Sequence, residues 1–423
     1  MTLTFADAVK LWAKIGCLSF GGPAGQIALL HKEVVVDRPL LGEKEFLNAL
    51  NFCMLLPGPE AMQLATYCGW KQHGVKGGLA AGLLFVLPGA FVILALSVIY
   101  AKLGNVPTVQ AIFWGIKAAV LAIVFEALLK IARKALKSRL DWAIAAAAFV
   151  ALFVFALPFA LVVIAAGISG YYFGKVESST LTKQIPPDWR TTLKTMAIGL
   201  AVWLVPLLLL HLIFGFNHIQ SQLARIFSTL AVVTFGGAYS VLASLGQNVV
   251  EQNGWLTTQQ MMDGFGLAET TPGPLILVGQ FVAFTAAHTT EKSLWSALFA
   301  STVFLWMTFA PCFLWIFAGA PWIEYLETRP RLRAALSAIT AAVTGVILNL
   351  SLWFGLHVIF GKVERLSPPF ALWWPDVKTF DPAALALSVL LALVLLRWKA
   401  GIPKTLAFAA LAGLSWFALR NLI

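Results

Sequence analysis

The chain has 423 residues, of which 60% are hydrophobic and 12% charged, with a mean hydropathy of +0.84. A soluble domain carries about 25% charged residues, so a water-soluble fold is excluded: too few polar groups remain to cover a surface. The net charge of +11 comes from Lys and Arg gathered at the ends of apolar runs, which marks membrane topology and argues against nucleic acid as a partner.

No signal peptide is expected in the first residues, because Asp7, Lys10 and Lys14 interrupt the apolar run and no A-x-A site follows. Residues 5–70 are apolar but broken. Spans are expected at about 77–101, 108–129, 141–157, 158–174 and 192–214. A second broken stretch, 219–287, precedes spans at 293–318, 334–360, 381–396 and 402–420. Each broken stretch counts as two broken or re-entrant helices, giving about 13 membrane segments in an all-α polytopic membrane protein. Alternation from inside puts the basic clusters at 71–76, 130–139, 175–194, 329–333 and 397–404 on one face. That positive-inside pattern predicts a cytoplasmic N-terminus and a periplasmic C-terminus, with the lipid bilayer as the first partner.

The chain repeats itself. FGG begins at Phe20 and again at Phe235, and PGP begins at Pro57 and again at Pro272, so both motifs recur at one and the same offset. Further on, Pro88 matches Pro311, and Lys117-Ala-Ala-Val matches Thr340-Ala-Ala-Val, both at a second, slightly longer offset. The reading is an N-terminal repeat over 1–190, a linking helix at 191–218 and a C-terminal repeat over 219–423. An odd number of crossings per offset inverts the second copy, giving two inverted-topology repeats. Inverted repeats with interrupted helices are a sign of secondary transporters, whose substrates bind at the repeat interface.

The breaks themselves have chemistry. Pro57 and Pro59 lack N–H groups and Gly58 tolerates unusual dihedrals, so a helix must stop there and restart. The same holds for Pro272, Gly273 and Pro274, with Thr270 and Thr271 beside them and Thr271 as a cap. It holds too for Gly21, Gly22 and Pro23 with Ser19, and for Gly236 and Gly237 with Thr234. Four helix N-termini would then converge near the midplane, each favouring an anion by about 0.3–2 kcal/mol. Gln63 is a neutral hydrogen-bonding neighbour. The plainer alternative is that the breaks are kinks or close-packing points.

Lys117 lies mid-span, where a charge costs about 2.5–3.5 kcal/mol. It is expected to face the anion; the alternatives are a structural pair with Glu126 or snorkelling. Glu60 and Glu269 lie close to the PGP breaks and are proton-coupling candidates. Asp263 reads first as an interfacial residue. No GxxxxGK[ST], GxSxG or HExxH pattern is present, and the cysteines and histidines have no metal-like spacing. No enzyme, metal or cofactor is expected.

The stretches FGGPAGQIALLHKEVV, LLPGPEAMQLATYCGW and GGLAAGLLFVLPGAF resemble the first half of the chromate ion transporter family. TFGGAYSVL and NGWLTTQQMMDGFGLAETTPGPLILVGQFVAF resemble its second half. The likeness is to the long-chain, two-domain form and covers roughly residues 5–350. It implies a bacterial inner-membrane protein that exports chromate by secondary transport. Sulfate is a tetrahedral dianion of similar size, so a sulfate transporter or an anion channel of the same architecture stays open, as does a homodimer.

Overall fold

A computed structural model describes residues 3–20, 22–174, 188–235, 238–323, 330–366, 372–398 and 400–422. The described residues are nearly all helical. In chain order the helices are α1 (Phe5–Leu18), α2 (Gly22–His31), α3 (Glu43–Leu55), α4 (Glu60–Leu103), α5 (Pro107–Ala135), α6 (Arg139–Phe153), α7 (Phe159–Phe173) and α8 (Trp189–Phe214). There follow α9 (Ile219–Val233), α10 (Ala238–Leu245), α11 (Thr258–Glu269), α12 (Val278–Glu291), α13 (Leu294–Gly319), α14 (Pro330–Ile359), α15 (Pro382–Trp398) and α16 (Ile402–Leu422). A short π-helical turn follows α2 at Lys32–Val36, and another follows α10 at Gly246–Gln252.

Local chemistry accounts for the boundaries. Ser138 and Asp141 cap α6 reciprocally, Thr257 and Gln260 do the same for α11, and the Asp188 carboxylate accepts from Arg190 and Thr191 at the start of α8. The long α4 bends where His73 and Gly74 leave helical geometry. Among the described residues, six helices are long and apolar enough to cross a membrane: those within 60–103, 107–135, 189–214, 294–322, 331–359 and 402–420. The segments expected as spans at 141–157 and 158–174 form two 15-residue helices. Each is about 22 Å long, shorter than a hydrocarbon core of about 30 Å. Leu212, Ile213 and other apolar side chains of α8 point outward, as a lipid-facing helix requires.

The order of elements recurs along the chain. The first copy, α1, α2, π turn, α3, returns as α9, α10, π turn, α11. Pro107 and Pro330 open α5 and α14 in the same register as the Pro88–Pro311 match, whereas Arg139 and Pro382, which open α6 and α15, stand further apart. The added residues are the polar loop after α14. Within it β1 (Val363–Arg365) pairs antiparallel with β2 (Trp373–Pro375), with Glu364 opposite Trp374.

The fold divides into two compact units, each drawing on both halves of the chain. The first comprises Met1–Ser97, Lys175–Val241 and Thr271–Ala334; the second comprises Val98–Gly174, Leu242–Thr270 and Ala335–Ile423. In the first unit α13 packs on α8, α9 and α12, and α1 lies so close to α4 that a Cβ at Gly16 would sit 1.9 Å from the Leu84 carbonyl oxygen. In the second unit the copies exchange partners. Helix α5 packs on α15 and α16, with Gly115 against the Ala409 backbone. Helix α14 in turn packs on α6 through Gly345 and on α7 through Ile339.

Candidate functional site

The breaks of the first unit meet as two crossed pairs. The Gly273 N–H donates to the Ser19 carbonyl at 2.9 Å, joining the second PGP to the first FGG. The Gly58 N–H donates to the Thr234 carbonyl at 3.0 Å, joining the first PGP to the second FGG. Ser19 and Thr234 occupy equivalent places in the two copies, as do Gly58 and Gly273, so one hydrogen bond has been made twice.

Each turn depends on its glycine. Gly58 has φ of +108° and Gly273 of +88°, which L side chains rarely adopt. Pro57, Gly58 and Pro59 are buried, as are Thr271, Pro272, Gly273 and Pro274. The Ser19 hydroxyl donates to the Ile15 carbonyl and closes α1. Thr234 does the same at the end of α9, donating to Leu230. Pro274, not Thr271, immediately precedes the next turn, a 3-10 turn at Leu275–Leu277 that runs into α12.

The crossed bonds also correct which N–H groups an anion could use. Those of Gly58 and Gly273 already have carbonyl partners. The donors left by helix geometry are those of the first turns: Ala61 and Met62 in α4, Leu275 and Ile276 after the second break. All four residues are buried.

The surrounding side chains differ. Gln26, 2% exposed, donates through Nε2 to the Gly273 carbonyl at 2.7 Å and lies 3.3 Å from the Ser19 carbonyl. Gln63 is fully buried; its Nε2 donates to the Pro57 carbonyl at 2.7 Å, and its Oε1 has no hydrogen-bond partner. Cys312 approaches the first PGP, where a Cβ at Gly58 would lie 2.9 Å from its Sγ. At the matching place on the second PGP stands Gly89, where a Cβ would lie 2.2 Å from the Pro272 carbonyl oxygen. Gly22 and Pro23 begin α2, and Glu60 is half-buried in the first turn of α4. Gly21, Gly236 and Gly237 lie outside the described residues.

Lys117 belongs to the second unit and is 6% exposed. Its partner is Asp263, Nζ to Oδ1 3.5 Å. Glu126 instead pairs with Lys130 at 2.7 Å. A step of nine along a helix turns a side chain to the opposite face, which rules out the Lys117–Glu126 pair; a step of four brings it back to the same face. Glu269 and Thr270 end α11 in the same unit, Glu269 buried and the Thr270 hydroxyl donating to Leu267. Sequence reasoning missed Gln26 and the Asp263 carboxylate. An acidic residue inside the apolar MDGFGLA run was the available signal for the second.

In the polar turn after α2, Glu33 is buried between Lys14, at 2.6 Å, and Arg38. Burial acts to raise its pKa, but the hydrogen bonds and charges of Lys14 and Arg38 outweigh it and hold the carboxyl below its ordinary value.

Comparison with known proteins identifies the family. The chromate transporter family model matches residues 6–171 and 221–414. The chain is 27% identical over 414 residues to a probable chromate transport protein of Synechococcus elongatus, covering 97% of this chain and 95% of that one. It is 26% identical over 421 residues to the chromate transport protein of Cupriavidus metallidurans, covering 99% and 95%. It is 30% identical over 351 residues to that of Pseudomonas aeruginosa, covering 82% and 80%. No solved structure matches. The chain belongs to the chromate transporter family and is a multi-pass membrane protein.

Proposed function

We propose that this member of the chromate transporter family exports chromate across the bacterial inner membrane by secondary transport, with sulfate as a second tetrahedral dianion of the same size. The observation that carries the reading is the pair of crossed breaks. Each delivers a buried first turn whose N–H groups have no acceptor inside the helix, the arrangement that binds oxyanions. The names of the three relatives support chromate as the substrate.

In this reading the breaks at Ser19 to Pro23, Pro57 to Pro59, Gly236 and Gly237, and Thr270 to Pro274 shape the site, and the first-turn N–H groups that follow them, those of Ala61, Met62, Leu275 and Ile276 among them, bind the anion. Gln63 is their neutral neighbour, Lys117 is a cation for a dianion, and Glu60 and Glu269 are proton acceptors. The two copies are inverted repeats of about 13 segments in all, divided at 190 and 218, with the N-terminus in the cytoplasm. The recurrence of helix order and of the Gly–carbonyl bond supports that duplication.

The test is flux through proteoliposomes with imposed proton and anion gradients. Accumulation of chromate above its equilibrium level supports the transporter. Purely dissipative flow identifies a channel of the same architecture, and no chromate or sulfate movement refutes the proposal. Cysteine labelling should place residues 130–139 and 175–194 on one face; labelling from opposite faces would refute the inversion.

A further inference from the structure

We propose that Asp263, clasped between Lys117 and Tyr100, is a proton-binding switch that turns the Lys117 charge on and off. The inference rests on the reading of the chain as an oxyanion transporter and goes beyond the two carboxylates beside the breaks.

The geometry is specific about where the proton goes. Asp263 is 4% exposed and lies within α11. A Cβ at Gly266 would lie 2.2 Å from the Ile116 side chain, so α11 and α5 are in close contact one turn beyond Asp263. That approach sets Asp263 beside Lys117, the residue after Ile116. Its two oxygens have different fates. Oδ2 accepts from the Tyr100 hydroxyl at 2.7 Å. Oδ1 faces Lys117 Nζ at 3.5 Å and accepts no hydrogen bond. A pair built for stability would close that gap, since a buried ion pair stabilises only with good geometry and satisfied hydrogen bonds. This one is long and half-satisfied in a setting where ionisable groups are costly and mark function.

Oδ1, which has no hydrogen bond to lose, is therefore the oxygen that takes a proton. The carboxylate becomes a neutral carboxylic acid held by Tyr100 through Oδ2, with no charge left to pair with Lys117. The ion pair is lost and Lys117 is left as an uncompensated cation, ready for a dianion. Loss of the proton restores the pair and dismisses the anion. Among the described residues, the titratable groups facing Asp263 are Lys117 from α5 and Tyr100 from α4. Glu251, on the π-helical turn packed against α11, is engaged with Arg365.

The experiment uses the full-length protein, measuring chromate binding in detergent across pH and both counterflow and pH-gradient-driven uptake in proteoliposomes. Wild type is expected to bind chromate about tenfold more tightly per pH unit of acidification through the transition, the slope of one linked proton. Asp263→Asn should hold the acid-form affinity at every pH, keep counterflow and lose gradient-driven accumulation. Lys117→Gln should bind at least tenfold more weakly throughout. Tyr100→Phe removes the hydrogen bond to Oδ2 and should move the pH midpoint upward with both charges intact; it decides the matter if Asp263→Asn fails to fold. Gradient-driven accumulation that persists in Asp263→Asn, or a Tyr100→Phe profile identical to wild type, overturns the switch. Wild type that moves neither chromate nor sulfate under any gradient instead overturns the transport reading beneath it.

Discussion

In one arm of the first unit the Gly273 N–H meets the Ser19 carbonyl, and Gln26 bonds to the Gly273 carbonyl beside it. In the other the Gly58 N–H meets the Thr234 carbonyl, and the position matching Gln26 is Val241. The first arm lies against the bare backbone of Gly89, the second against the thiol of Cys312. Gln63 serves only the second arm; its counterpart is Val278. The duplicated device is thus made of backbone, and the side chains have diverged around it. One arm is locked by backbone-to-backbone packing. The other is lined by side chains that can shift, and it retains an acceptor, Gln63 Oε1, with no partner.

The largest test exchanges the packing residues. In Gly89→Cys the new Cβ meets the Pro272 carbonyl oxygen, which cannot move aside without breaking the turn. Overpacking of this kind costs about 1–3 kcal/mol or more. A marked fall in thermal midpoint and loss of transport are expected, whereas Cys312→Ala should cost about 1 kcal/mol or less. Equal losses would show that the two arms are packed alike. The second test removes each glutamine. Gln26→Leu takes the side-chain donor from a buried carbonyl and should cost about 1–3 kcal/mol. Gln63→Leu loses one bond but also removes the unpartnered Oε1, so denaturant unfolding should register a smaller loss. The reverse ranking would contradict the division into a locked and an adjustable arm.

The smallest effect concerns pH. Helix α2 of the first arm ends beside Glu33, and the matching residue after α10 is the neutral Asn248, whose Nδ2 donates to Ser244. The folded-state pKa of Glu33 lies below the ordinary 4.5. Its contribution is therefore full above 4.5 and lost as pH falls through the depressed value. Thermal unfolding followed down to about pH 3 should lose stability in wild type. In Glu33→Gln the profile should be flatter, while Asn248→Ala leaves its slope unchanged.

Much of this was legible in the residues. The span expected at 108–129 lies within α5, and the PGP motifs break the chain where proline and glycine must. The partners of the breaks were not legible. Spacing reports neighbours along one copy, whereas Ser19 and Gly273 are joined by the packing of segments from the two halves of the chain. The hydroxyls of Ser19 and Thr234 reach back to i−4 carbonyls, as a hydroxyl in an apolar helix readily does, and spacing alone does not reveal that bond. Asp263 was hidden for the same reason as Gln26: its partner lies far off in sequence, and only tertiary packing brings the two together.

The exchange of partners in the second unit bears on how the protein is made. Helix α5 leaves the ribosome long before α15 and α16 exist, yet Gly115 fits against the Ala409 backbone and Gly413 against Ala111. Until then a helix shaped for another backbone must wait in lipid, where small residues offer little adhesion. Likewise α6 and α7 are each about 22 Å long and emerge before α14 can shelter them. Insertion and assembly are therefore separate events in this chain: the nascent first copy is threaded into the bilayer as an unfinished half, and its tertiary structure is completed only when the second copy arrives to pair with it.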